Sequence, residues 1–230
     1  MKDKFWLIKV IAPAHHKSIT VNLGIKSYRT LIIHLWEMLT FDLRHGITTR
    51  TIIPASELNF SNKETQSHAI RYRPMPVLCL KRGLKFLKSY LTEIDNVTFV
   101  DYGSGMGRVM LLAAEAGFQS VVGIELSPQL ILSCEKNIEK FKIKYPNCTF
   151  TILNQDASTY RPKKNVCVFF FFNPFDNSIF KRVMNEIFES LNEYPRTIYC
   201  LTFQSNYNFS DYNLHLIGQE TGVNIFSNKK

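Results

Sequence analysis

A chain of 230 residues, 45% of them hydrophobic, can bury one sizeable core and is too apolar to be a disordered tail. It holds no run of about eighteen apolar residues, so no integral membrane segment is expected. Its five scattered cysteines form no C-x-x-C pair, which argues against a disulfide framework or zinc site and for a reducing, cytoplasmic setting. The net charge of +9 sits early: residues 1–96 carry 15 Lys/Arg against 7 Asp/Glu, residues 97–230 carry 13 against 12. That asymmetry reads either as a docking surface for an acidic partner or as a plain basic surface.

The start, residues 5–14, is apolar but interrupted by Lys9 and Pro13, so it does not read as a secretory signal. Tyr28, Leu31, Ile32, Leu35, Trp36 and Leu39 mark one amphipathic helix. Residues 43–73 are polar and irregular. Pro74 and Pro76 precede a second helix with Val77, Leu80, Leu84, Leu87 and Leu91 on its core side. Lys81, Arg82, Lys85 and Lys88 form its other side, which reads as a solvated face.

From there strand and helix signals alternate. Residues 97–101 (VTFVD) predict a strand, and Val109, Leu112, Ala113 and Ala116 predict a helix ending at Gly117. Residues 120–125 (SVVGIE) predict the next strand. Ser127 and Pro128 open a helix that buries Leu130, Cys134, Ile138 and Phe141. Residues 148–154 and 166–172 predict two more strands, the second apolar throughout, as a strand covered on both faces should be. A helix over 176–192 carries Ile179, Phe180, Val183, Met184, Ile187, Phe188 and Leu191, and a strand over 196–203 follows. The tail offers an antiparallel pair, 213–217 with 223–226. Such alternation means a parallel α/β sheet with helices on both faces.

The chemistry concentrates in Asp101-Tyr102-Gly103-Ser104-Gly105-Met106-Gly107, between a predicted strand and a predicted helix. That is the carboxyl end of a strand, where open α/β sheets bind ligands. Glycines let the backbone turn sharply and approach a ligand, and the helix start offers free N–H groups to a ligand carboxylate. A dinucleotide fingerprint starting at Gly103 would need glycine at 108, where Arg108 stands, so a nicotinamide-dependent oxidoreductase is disfavoured. Asp101 can accept from an ammonium or from loop amides. Glu125, at the next strand end, can accept both hydroxyls of a ribose. Asp156, before Ala157, can accept from the exocyclic amine of adenine. The histidines show no metal-ligand spacing, and no metal site is expected.

These residues resemble the class I S-adenosylmethionine-dependent methyltransferases: 101–107 matches their first motif and 121–125 their second. The resemblance implies a Rossmann-like seven-stranded sheet with its last strand antiparallel and S-adenosyl-L-methionine as cofactor. On it, residues 75–230 form the methyltransferase domain, and residues 1–74 a basic N-terminal helical extension or cap. The cofactor set it implies is Asp101, Gly103, Ser104, Gly105, Gly107, Glu125, Asp156 and Ala157.

The chain is also similar to uncharacterised bacterial methyltransferase-domain proteins, through residues 41–49 (FDLRHGITT), 72–76 (YRPMP), 99–108 (FVDYGSGMGR) and 170–175 (FFFNPF). The 72–76 segment further resembles one in protein-lysine methyltransferases that lack a SET domain, with Met75 where those carry threonine. Asn173-Pro174-Phe175 is similar to the N-P-P-Y motif of enzymes that methylate planar amino groups, without its second proline. These likenesses place Asn173, Tyr72 and Phe175 at the methyl-acceptor side, with Phe172 as a further wall. The acceptor could be a protein side-chain nitrogen, an RNA base or a small molecule. A non-methylating relative (an aminopropyl transferase or a regulatory cofactor-binding module) and a basic nucleic-acid-binding protein stay open as alternatives. His45 reads as a hydrogen-bonded structural histidine before it reads as a general base.

Overall fold

The computed structural model describes residues 28–58, 71–91 and 93–229. Its elements are α1 (Tyr28–His45), α2 (Val77–Lys88), β1 (Thr98–Tyr102), α3 (Arg108–Glu115), β2 (Ser120–Glu125), α4 (Pro128–Lys142), β3 (Thr149–Asn154), β4 (Val166–Phe171), α5 (Asn177–Glu193), β5 (Tyr199–Phe203), β6 (His215–Glu220) and β7 (Val223–Ser227). The strands form one seven-stranded sheet in the order β3-β2-β1-β4-β5-β7-β6. β1 lies parallel between β2 and β4, and β7 runs antiparallel to both β5 and β6.

Two apolar layers sandwich the sheet. On one face Phe99, Val168, Phe170 and Leu201 pack against Leu80 and Leu84 of α2, Leu111 of α3 and Cys134 and Phe141 of α4. On the other face Val100, Tyr102, Phe169 and Phe171 meet Phe180, Val183, Met184 and Ile187 of α5. The alternation of β4 thus feeds both layers, which is why no polar residue interrupts it. All four residues expected to be buried on α4 are buried. The tail pair forms at the sheet edge, a little longer than its pattern suggested.

Some expectations change. β5 begins at Tyr199 rather than at 196: the Arg196 carbonyl and the Ile198 N–H bond the Asn228 side chain instead of a neighbouring strand. Ile32 and Trp36 lie exposed on α1 and not on a core stripe, whereas Tyr28, Leu31, Leu35 and Leu39 have side chains outside the described residues. Within the stretch 43–73, Ile47, Ile53 and Leu58 are buried, and Ile53 pairs with Tyr72 in an antiparallel bridge. Residues 59–70 and the apolar start lie outside the described residues. The basic side of α2 is not merely solvated. Lys81 pairs with Glu37 and Glu115, Lys88 Nζ donates to the Ala116 carbonyl at the end of α3, and Arg82 reaches the Thr221 hydroxyl. No described helix is long and apolar enough to cross a membrane.

Candidate active site

The loop after β1 turns at three glycines with left-handed backbone: φ is 75° at Gly103, 55° at Gly105 and 86° at Gly107. An L side chain is strained there. The space is also taken, though by protein and not, as expected, by a ligand. A Cβ on Gly103 would lie 2.5 Å from Pro174, one on Gly105 2.3 Å from the Tyr72 ring, and one on Gly107 2.5 Å from Cys134 Sγ. The loop is therefore gripped from three sides. It is also tied across β2, because Gly103 and Ser104 both donate N–H to the Ile124 carbonyl.

Glu125, at the end of β2, closes the grip. Its Oε2 accepts from Gly105 N at 2.9 Å, and its Oε1 accepts from Leu126 N and Ser127 N at 2.8 and 2.9 Å. Burial pushes the carboxyl above its ordinary range, and the three backbone donors pull it back. Ser127 stands at the N-cap position of α4, yet its hydroxyl makes no capping bond. Asp156 caps the turn at Ala157–Thr159, with Oδ1 accepting from Ser158 N at 2.8 Å.

Asp101 is different. Its side chain is buried at 2% exposure, and its Oδ2 has no hydrogen-bond partner. Desolvation, with the nearby Glu125 charge second, raises its carboxyl well above the usual 3.8. Ser104 is buried too, with its hydroxyl unpartnered. Buried polar atoms are rarely left this way unless something else binds them.

A cavity of about 360 Å³ opens beside these groups. Asp101, Gly103, Ser104, Glu125, Asp156 and Ala157 line it together with Tyr72, Phe172, Asn173 and Phe175. All three residues expected on the acceptor side therefore reach the same cavity as the cofactor set. Gly105 and Gly107 of the expected cofactor set shape the loop without lining the cavity. Asn173 sits in a left-handed conformation (φ 45°), and its Nδ2 donates to the Gln204 carbonyl at 2.6 Å. Its amide oxygen accepts nothing among the described residues. The Tyr72 hydroxyl donates to the Thr49 carbonyl at 3.0 Å, so the ring, pressed on Gly105, is what meets the cavity.

The sequence reading missed a buried clamp behind the loop. Arg108, 2% exposed, donates from Nε to Thr49 Oγ1 at 2.6 Å, from Nη2 to Asp42 Oδ1 at 3.1 Å and from Nη1 to the Met75 carbonyl at 3.3 Å. Asp42 also accepts from Thr49 N and Thr49 Oγ1, each at 2.6 Å. Asn137 on α4 joins Thr48 to the Met106 carbonyl. The signal is present in the sequence, where Arg108 follows the last motif glycine and closes the family-like stretch 99–108, but that stretch gives Arg108 no partner. His45 lies apart from the cavity, packed between Phe41 and Phe141, and burial lowers its pKa.

Known proteins match this chain in sequence and in fold. A family model described as "Methyltransferase domain" matches residues 93–219. The chain belongs to that methyltransferase-domain family. It is 35% identical over 71 residues to a ribosomal protein L11 methyltransferase of Aquifex aeolicus (strain VF5). That stretch is 31% of this chain and 26% of the relative, so the chain spans about a quarter of the curated relative it matches. The crystal structure of an RNA methyltransferase from Salinibacter ruber, in complex with S-adenosyl-L-homocysteine, superposes with a TM-score of 0.50. At 17% identity, over 67% of this chain and 91% of that one, the likeness is one of fold. The methyltransferase domain here is thus of the class I, seven-stranded type.

Proposed function

We propose that this methyltransferase domain binds S-adenosyl-L-methionine in the 360 Å³ cavity and carries its methyl group to an acceptor presented at Asn173. The observation that supports it most is the orphaned, buried Oδ2 of Asp101 at the cavity wall. An unpartnered carboxylate oxygen suits a ligand ammonium, and the amino-acid part of this cofactor has one. Ser104 offers a second unsatisfied group, Glu125 retains lone pairs for ribose hydroxyls, and Asp156 Oδ2 is available for an adenine amine. When bound, the cofactor supplies an electrophilic methyl on a cationic sulfur, which leaves without needing an acid.

The chain's own work is positioning and exclusion of water. Phe172, Phe175 and the Tyr72 ring wall the acceptor end with apolar surface. Asn173 is fixed by its bond to Gln204, so its free amide oxygen can receive an N–H of a planar amino group. This favours a nitrogen acceptor of an amide or aminated ring, as the N-P-P-Y likeness implies. The two relatives' names point to a protein and to an RNA, and the acceptor's identity rests on neither. Residues before 75 act, in this reading, as a cap on the cofactor loop and not as a separate domain. The ties from Asp42, Thr48, Thr49 and Tyr72 to Arg108, Asn137 and Gly105 support it.

Thermal melts with S-adenosylmethionine, S-adenosylhomocysteine and NAD test the cofactor. At about 100 times its dissociation constant a ligand adds roughly 2.7 kcal/mol. Both sulfur ligands should raise the melting temperature of the wild type, and Glu125→Ala should weaken both. A shift with NAD alone would discard the reading.

A further inference from the structure

A second cavity of about 430 Å³ adjoins the first and shares Arg71, Arg73, Phe172, Asn173 and Phe175 with it. The charge along the combined cleft is divided. Asp101, Glu125 and Asp156 lie at the inner end, and Arg71 and Arg73 stand where the two cavities meet. Arg108 and Arg182 also line the inner cavity, and Asp42 matches the charge of Arg108.

We infer that the outer cavity is the acceptor's seat, and that Arg71 and Arg73 hold an oxyanion, a phosphate or carboxylate, borne by the acceptor beside its methyl-accepting atom. The inference rests on the cofactor reading above. Neither arginine is ion-paired among the described residues. Arg73 is held in place: its guanidinium lies 4.8 Å from the centre of the Phe172 ring, and its Nη2 donates to Gln204 Oε1 at 3.2 Å. The remaining N–H donors of that fork have no partner among the described residues, and a planar fork is suited to bidentate oxyanions. Burial and the neighbouring Arg71 charge both lower the Arg73 pKa, a repulsion that a bound anion relieves. The acid in the outer wall, Asp176, accepts from Ser178 N and Ile179 N at the start of α5, which makes it a helix cap.

Gln204 emerges as a positioning residue for both sides of this seat. Its backbone carbonyl fixes Asn173, its side chain fixes Arg73, and its own φ of 50° turns the chain at the end of β5. A lysine ammonium entering past two arginines would be repelled, so the charge favours an acceptor that is not a lysine side chain.

The test uses the full chain saturated with S-adenosylhomocysteine, whose own affinity is measured first. Inorganic pyrophosphate, oxalate and a short single-stranded oligoribonucleotide are then titrated by calorimetry at constant ionic strength. The wild type should bind an oxyanion, and Arg73→Ala and Arg71→Ala should each weaken it about tenfold or more. S-adenosylhomocysteine affinity should stay within a factor of about two, and Lys140→Ala, exposed on α4, should change nothing. Pyrophosphate or oxalate binding as tightly as the oligoribonucleotide supports the seat with a small-molecule acceptor. A much tighter oligoribonucleotide supports it with a nucleic-acid phosphate. Equal oxyanion affinity in wild type and both arginine variants, or none in the wild type, overturns the inference. Failure of S-adenosylhomocysteine to bind overturns the cofactor reading instead.

Discussion

Two buried aspartates, Asp42 and Asp101, sit on opposite sides of the motif loop at the same 2% exposure, and their surroundings could hardly differ more. Asp42 is saturated: it faces Arg108, Thr49 N and Thr49 Oγ1 at hydrogen-bond distance, with Arg50 Nε at 3.7 Å. Asp101 has an oxygen with no partner, and the charge that acts on it is another carboxylate, Glu125, which adds to the effect of burial in raising its pKa. Burial alone therefore says nothing about role. A buried charge whose partners are all present holds the fold, and one whose partner is missing keeps a hydrogen bond to make.

The largest effect that separates them is on stability. Asp42→Ala strands the Arg108 guanidinium and the Thr49 donors in the interior, and breaking a buried pair from one side costs about 3–5 kcal/mol. Asp101→Asn removes a charge that has no partner, so the unliganded protein should keep its stability or gain some. Its affinity for S-adenosylhomocysteine should instead fall about ten- to a hundredfold, through loss of a charged hydrogen bond of roughly 1.5–3 kcal/mol. Urea unfolding and calorimetry on both variants measure the contrast. Equal losses of stability would mean that the two carboxylates do the same job.

A smaller effect sharpens the contrast at the loop itself. Gly105→Ala puts a Cβ 2.3 Å from the Tyr72 ring at a φ of 55°. The left-handed backbone costs about 1–2 kcal/mol and the overlap about 1–3 kcal/mol more. Adding Tyr72→Ala removes the overlap and leaves the backbone cost. The double variant should therefore be less destabilised than the two single changes together imply, a coupling readable from a double-mutant cycle in urea. Strict additivity would show that the ring and the loop do not bear on each other.

How far such roles can be read from sequence depends on their range. The strand–helix alternation, the glycine loop and the acids following three successive strands are local patterns whose spacing follows from βα geometry, and the structure brings those acids to one cavity. What was not legible depends on contacts far apart in the chain. Arg108 meets Asp42 across 66 residues, and Arg73 meets Gln204 across 131. No periodicity links such pairs. The glycines were expected to make room for a ligand, but the missing Cβ atoms make room for Pro174, Tyr72 and Cys134, and a sequence does not show which neighbour fills a gap. Ile32 and Trp36 fit a helical stripe and are nevertheless exposed, since periodicity gives a face and not what covers it.

The smallest expected effect is a pH slope of opposite sign for stability and for binding. Desolvation raises the Asp101 pKa above 3.8 in the folded chain, so the fold binds a proton that the unfolded chain has already released. The contribution of this group to unliganded stability is fully present below its ordinary value. It is lost as pH rises from there through the raised value. Glu125, raised above 4.5, adds a slope of the same sign. A ligand ammonium needs the ionised carboxylate, so S-adenosylhomocysteine affinity should climb over the same window in which unliganded stability declines. Asp101→Asn should flatten both curves, leaving only the share of Glu125. Urea midpoints and calorimetric affinities taken across a series of pH values read the two slopes. If stability and affinity moved together with pH, Asp101 would have its partner within the protein, and the orphaned oxygen would not be the ligand's place.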